Sequence, residues 1–124
     1  ELVIGNLKQE LIQTIKKNVP EIRVNGDLEK SLPGIISITF PKTDSEGLLL
    51  LLDAEGIACS TGSACSAGVQ RPSHVLMAMG LSEDETTSTL RFSLSHLNTI
   101  NEIARLGSVI ASVVARSKAA SGKK

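Results

Sequence analysis

A chain of 124 residues with thirteen basic and thirteen acidic side chains carries no net charge to draw it towards phosphate backbones or anionic lipid. Only 2% of its residues are aromatic, which leaves no stacking platform for single-stranded nucleic acid and a core of Leu, Ile, Val and Ala. The longest apolar run, Leu48 to Leu52, is far short of the roughly 20 residues that span a bilayer, and two cysteines do not make a disulfide framework. These features exclude nucleic-acid and membrane partners and predict one compact domain in a reducing, cytoplasmic setting. The chain opens on Glu1 with helix-like sequence directly after it, so it is expected to be a piece of a longer protein.

Val3, Leu7, Leu11 and Ile15, with Ile4 and Ile12 beside them, form the apolar stripe of an amphipathic helix that Pro20 ends. Ile22 and Val24 alternate with charged residues before the turn signal Asn25-Gly26, which predicts a short strand. After Pro33-Gly34, the β-branched run from Ile35 to Phe40 predicts a second strand, closed by Pro41. Capping-box spacing at Thr43/Glu46, Ser82/Glu85 and Thr99/Glu102 predicts three further helix starts, because each Ser or Thr and the Glu three residues on satisfy one another's backbone donors. Gly56 stands where the first of these helices needs a left-handed cap, and Ile57 to Cys59 reads as a short inner strand.

Pro72 suits the first turn of a helix through Val75, Leu76 and Met79, with Gly80 as its stop. Leu90, Phe92 and Leu94 alternate with Arg91, Ser93 and Ser95, the pattern of a half-buried strand. The last helix carries Ile100, Ile103, Leu106, Ile110, Val113 and Val114 on one side. Residues 117–124 form a small, polar, cationic tail that composition predicts to be disordered. Together the elements predict an α+β fold over residues 1–116, a small and mostly antiparallel sheet packed with helices.

Between the inner strand and Pro72 lie Ser60, Thr61, Gly62, Ser63, Ala64, Cys65, Ser66, Ala67 and Gly68, none with a side chain large enough to anchor in a core. That composition predicts an exposed, mobile loop, neither helix nor strand, displaying Cys65. A free cysteine ordinarily prefers burial, so one shown on such a loop is singled out by its reactivity.

The stretch GIACSTGSACSAGVQRPSHVLMAMGL, followed by LRFSLS and a helix opening at Asn98-Thr99, resembles the C-terminal domain of cysteine desulfurases of the NifS and IscS type, class V aminotransferases among the fold-type I pyridoxal-phosphate enzymes. Looser similarity covers nearly all of the chain except the tail. The resemblance implies that Cys65 is the nucleophile that takes sulfur from L-cysteine, leaving L-alanine and a persulfide, and that Arg91 clamps the substrate carboxylate. Guanidinium suits that task because its donors fit a carboxylate bidentately. The resemblance also implies pyridoxal phosphate as cofactor, a homodimer, and a sulfur-acceptor protein such as an iron-sulfur scaffold. The cofactor-binding lysine and the histidine stacked on the cofactor belong, in that family, to a large domain with no counterpart here, so this chain alone is expected to be inactive. Two alternatives stay open: a stand-alone persulfide carrier or thiol-exchange module, and a non-catalytic regulatory domain that binds an amino acid through Arg91. Cys59 is expected to be a buried structural thiol, His74 and His96 to be structural, and no metal site is expected, because paired short-range ligands are missing.

Overall fold

The computed structural model describes residues 2–25, 35–61, 64–66, 69–71, 80–93 and 100–122. Its elements are α1 (Leu2–Asn18), β1 (Arg23–Asn25), β2 (Ile35–Thr39), α2 (Ser45–Ala54), β3 (Ser60–Thr61), β4 (Ala64–Ser66), β5 (Val69–Arg71), α3 (Glu83–Thr86), β6 (Thr89–Ser93) and α4 (Ile100–Ser121). The main sheet is antiparallel throughout, in the order β1-β2-β6-β3, and β4 and β5 pair as a separate two-stranded ribbon. The α+β fold expected from the sequence is therefore observed.

Because side chains alternate along a strand, β2 and β6 divide their residues between two faces. Ile36 lies opposite Phe92 and Ile38 opposite Leu90, and all four are almost completely buried. Burying each such side chain stabilises the fold by about 1.5–3 kcal/mol. Leu11 and Ile15 of α1, Leu48 and Leu52 of α2, and Ile103, Leu106 and Ile110 of α4 join the same core. Helices thus cover one face of the sheet. The two phenylalanines of the chain, Phe40 and Phe92, meet edge to face with ring centres 6.3 Å apart.

Local signals fix the element ends, though not always as the sequence suggests. The cap of α2 is Asp44, whose side chain accepts from the Gly47 N–H at 3.1 Å, and not Thr43. The Thr43 hydroxyl donates instead to the Phe40 carbonyl at 2.7 Å, drawing the turn after β2 closed. Both bonds of the Ser82/Glu85 capping box are present, on a helix of only 4 residues. Gly56 takes a φ of 80°, as its stopping role after α2 requires, and Gly80 also has a positive φ, 95°. At the end of α2 the Glu55 carbonyl accepts from Arg105 of α4, at 2.7 Å from Nη2 and 3.2 Å from Nε, so a cation from one helix closes the next.

Three further expectations are corrected. Ile57 to Cys59 does not form a strand; the edge strand is β3, beginning at Ser60. The presumed loop from Ser60 to Gly68 contains β3 and β4, because its small residues offer no obstacle to extended pairing and Val69 to Arg71 provide a partner strand. The tail expected to be disordered from Ser117 is helical through Ser121. Ser117 is 3% exposed and its Oγ exchanges hydrogen bonds with the backbone of Asp44, while the Ser121 hydroxyl donates to the Lys42 carbonyl at 2.8 Å. Those contacts hold the polar end of α4 against the turn before α2. The expected helix after Pro72 and the cap at Thr99 lie outside the described residues.

Gly107 sets the approach of α1 to α4, since a Cβ there would stand 2.5 Å from Cγ2 of Thr14. Gly107→Ala is expected to destabilise the fold by about 1–3 kcal/mol through overpacking. In a Thr14→Ser background, where that methyl is gone, the same change is expected to stabilise by up to about 1 kcal/mol through helix propensity. Urea midpoints of the two single variants and the double variant check this sign reversal.

Two carboxylates make stability depend on pH. Glu21 is held below its ordinary value of 4.5 chiefly by its hydrogen bond from Lys118. Glu85 is also held below it, first by the Ser82 N–H and further by Arg23, whose Nη1 lies 2.9 Å from its Oε2. A lowered folded-state value means that ionisation favours the fold, so this contribution is complete above 4.5 and disappears as pH falls through the folded values. Urea midpoints measured from neutral pH downward are expected to decline on the acid side of that value, and less steeply in Glu21→Gln/Glu85→Gln.

Candidate active site

The second face of the sheet is polar. Asn25, Ser37, Arg91 and Ser60 are successive cross-strand partners, so their side chains form one row across all four strands. Arg91 is exposed between Leu90 and Phe92, both buried, so the core that takes its neighbours directs it outward. Among the described residues its side chain has no hydrogen-bond or ion-pair partner. The next row holds Arg23, Thr39 and Thr89, with Thr39 and Thr89 buried and their hydroxyls 2.7 Å apart.

The segment bearing Cys65 begins at the end of this row. Ser60 pairs with Arg91 and Thr61 with Leu90, after which the chain passes into β4, where Cys65 faces Gln70 across the ribbon and Ala64 faces Arg71. Backbone pairing thus ties the nucleophile candidate, five residues after Ser60, to the strand of the carboxylate-binding candidate. Of the other expected loop residues, Ser60, Thr61, Ala64 and Ser66 lie on strands, while Gly62, Ser63, Ala67 and Gly68 fall outside the described residues, as do His74 and His96. Two positions, one on this face and one on the ribbon, escape attention in the sequence. Ser37 is flagged only as the polar member of the alternation Ile36-Ser37-Ile38, and Gln70 carries no signal until the ribbon's register is known.

Cys59 has a different character. It is half-buried, packed against the core, and its thiol is pushed up from 9.0 to about 12, first by burial and then by the Asp53 carboxylate. Such a thiol stays protonated and is a poor nucleophile. Among the described residues no group of three His, Cys, Asp or Glu could hold a metal ion, and no described helix is long and apolar enough to cross a membrane.

Comparison with known proteins shows the family. The family model for class-V aminotransferases matches residues 3–106. The chain belongs to that family. It is 40% identical over 115 residues to a cysteine desulfurase from Nostoc, and 39% identical over 115 residues to an IscS-like cysteine desulfurase from Mycobacterium tuberculosis. The alignments cover 93% and 92% of this chain but 29% of each relative, so the chain spans less than a third of their length. Among solved structures, a NifS-like protein from Rickettsia africae matches with a TM-score of 0.74 and 31% identity, over 90% of this chain and 28% of that one. The expected kinship with cysteine desulfurases is thus borne out.

That kinship implies pyridoxal phosphate, and the described residues do not fit it. A Schiff-base site needs a lysine beside the polar row. Lys8, Lys16 and Lys17 sit on α1, on the opposite side of the sheet, and Lys118 is paired with Glu21. Lys42 lies in the turn before α2 and lines a cavity with Arg23, Thr39 and Glu85, at the row next to Arg91's. No step of the chemistry is therefore assigned to a cofactor held by these residues.

A thiol pushed up to about 12 is almost wholly protonated at neutral pH. Alkylation by iodoacetamide, followed by peptide mass spectrometry, is expected to leave Cys59 unmodified in the folded chain and to label it readily in urea.

Proposed function

We propose that this chain is the sulfur-accepting domain of a cysteine desulfurase, with Cys65 as the nucleophile and Arg91 as the anchor of the substrate carboxylate. The observation that carries this reading is the pairing of Ser60 with Arg91, which ties the segment leading to Cys65 to the strand that displays an exposed guanidinium with no partner among the described residues. The names of the relatives support it.

In this reading the Arg91 fork binds both oxygens of the L-cysteine carboxylate and orients the substrate sulfur towards Cys65. The Cys65 thiolate attacks that sulfur, and a sulfur-sulfur bond forms as the carbon-sulfur bond breaks. The carbon keeps the electron pair and takes a proton, so the products are L-alanine and a persulfide on Cys65. The thiolate of an acceptor protein, such as an iron-sulfur scaffold, then removes the outer sulfur. Pyridoxal phosphate is held by the part of the protein outside this chain, which works in the cytoplasm as a homodimer; the present chain alone does not turn over cysteine. Cys59, kept protonated by burial, does not relay sulfur.

In the full-length enzyme, Cys65→Ser is expected to abolish the sulfur adduct seen by mass spectrometry and to lower alanine formation by at least about 10³-fold, with the cofactor retained. Arg91→Gln is expected to raise KM for L-cysteine on the order of 10²-fold. Undiminished alanine formation in Cys65→Ser would overturn the reading. Equilibrium dialysis of the isolated chain with pyridoxal phosphate is expected to show no stable retention.

A further inference from the structure

We propose that Ser37 is a second ligand of the substrate carboxylate, its hydroxyl donating beside the Arg91 guanidinium. The inference rests on the reading of Arg91 as the carboxylate anchor and adds a residue to that site.

The direction of a hydrogen-bond chain carries the argument. The Glu85 backbone carbonyl can only accept, so the Thr89 hydroxyl, 2.6 Å away, donates to it. Having given its proton to Glu85, Thr89 must accept from the Thr39 hydroxyl at 2.7 Å. Thr39 in turn must accept from Asn25, whose Nδ2 lies 2.8 Å away. The amide of Asn25 is thereby fixed with its nitrogen towards β2, and the same nitrogen also donates to Ser37 Oγ at 3.4 Å.

Two consequences follow. The Ser37 oxygen already accepts, so its own proton is left for another acceptor, and no described residue provides one. The Asn25 Oδ1 is left without a partner although the residue is only 7% exposed. With the amide nitrogen aimed at both hydroxyls and its oxygen left unsatisfied, Thr39 is committed to donating to Thr89 and Ser37 is left to donate outward.

The cross-strand partner of Ser37 is Arg91, which has donors alone, and beyond Arg91 stands the exposed Ser60. Ser37 is half-buried and Arg91 exposed on the same face, so the Ser37 proton opens onto the space the guanidinium commands. Ser37 and Arg91 thus present donors side by side, which matches an anion with two oxygens in one plane. The carboxylate of an amino acid is such an anion, one oxygen bridging Ser37 and Arg91 and the other held by Arg91.

The full-length enzyme loaded with pyridoxal phosphate provides the test. Ser37→Ala is expected to raise KM for L-cysteine by roughly tenfold while kcat changes by less than about twofold, and Ser37→Thr, which keeps the hydroxyl, is expected to restore KM. Calorimetry separates recognition from turnover: L-alanine should bind Ser37→Ala about tenfold more weakly than the parent, whereas alaninamide, which lacks the carboxylate, should bind both alike. Unchanged L-alanine affinity in Ser37→Ala, with Arg91→Gln still losing it, would overturn the proposal and leave the Arg91 assignment standing. Equal losses for L-alanine and alaninamide would reveal a structural effect and overturn it as well. If Arg91→Gln also binds L-alanine normally, both assignments fall together.

Discussion

The pairing of β2 with β6 is the constraint on which the molecule depends. Five consecutive residue pairs hold the two strands in one register, with Ile36 against Phe92 and Ile38 against Leu90 on the face that the helices cover. Slipping one strand by a single residue would turn Phe92 outward and drive Arg91 into the hydrocarbon of α2 and α4. Burying an unpaired guanidinium there would cost several kcal/mol, on top of the apolar burial lost. Core packing therefore fixes the face on which Arg91, the proposed carboxylate anchor, appears. Functional geometry here is a by-product of a register that hydrophobic burial enforces.

The two cysteines show how position within this frame decides chemistry. Cys59 follows the buried Ile57 after the end of α2 and packs against the core near the Asp53 carboxylate, so its thiol is held protonated. Cys65 comes six residues later, beyond the edge of the main sheet, on a separate ribbon. Between them Ser60 and Thr61 pair with Arg91 and Leu90, and that short pairing marks the border between core and periphery. A sulfur-relay role for Cys59 would require moving it out of the surroundings that keep it inert.

Much of this was legible in the sequence because hydrophobic periodicity and capping chemistry are local. The stripe of α4, the alternation of β6 and the Ser82/Glu85 box all appear where their residues place them. Misreadings arose where a distant partner decides. Asp44 and Thr43 are both reasonable caps for α2, and the choice falls to Asp44 because the Thr43 hydroxyl closes the preceding turn. The end of α4 is polar enough to suggest disorder, yet Ser117 and Ser121 find backbone partners more than seventy residues earlier in the chain. The stretch from Ser60 to Gly68 gives no strand signal by itself, since its partners are β6 and Val69 to Arg71. Arg91 was read correctly as an exposed strand residue, whereas its neighbour Ser37 needs the cross-strand register to be noticed.

The site's two halves are held with unequal firmness, and the difference suits the chemistry proposed for them. On the carboxylate side, a chain of hydrogen bonds runs from Glu85 at α3 through Thr89 and Thr39 to Asn25 and Ser37, and the capping box and the Arg23 pair secure Glu85 itself. Breaking the Asn25–Thr39 or Thr39–Thr89 link leaves a buried polar group unsatisfied, so these groups are held together. On the thiol side, the described residues attach the route to Cys65 to the main sheet through the two residues of β3, at its edge. Edge pairing of that length opens at far lower free energy than the central strands. A substrate must be held still while its sulfur is taken, and the sulfur must then be presented elsewhere. An anchor built into the central register and a thiol joined through a two-residue edge meet those opposed demands within one small sheet.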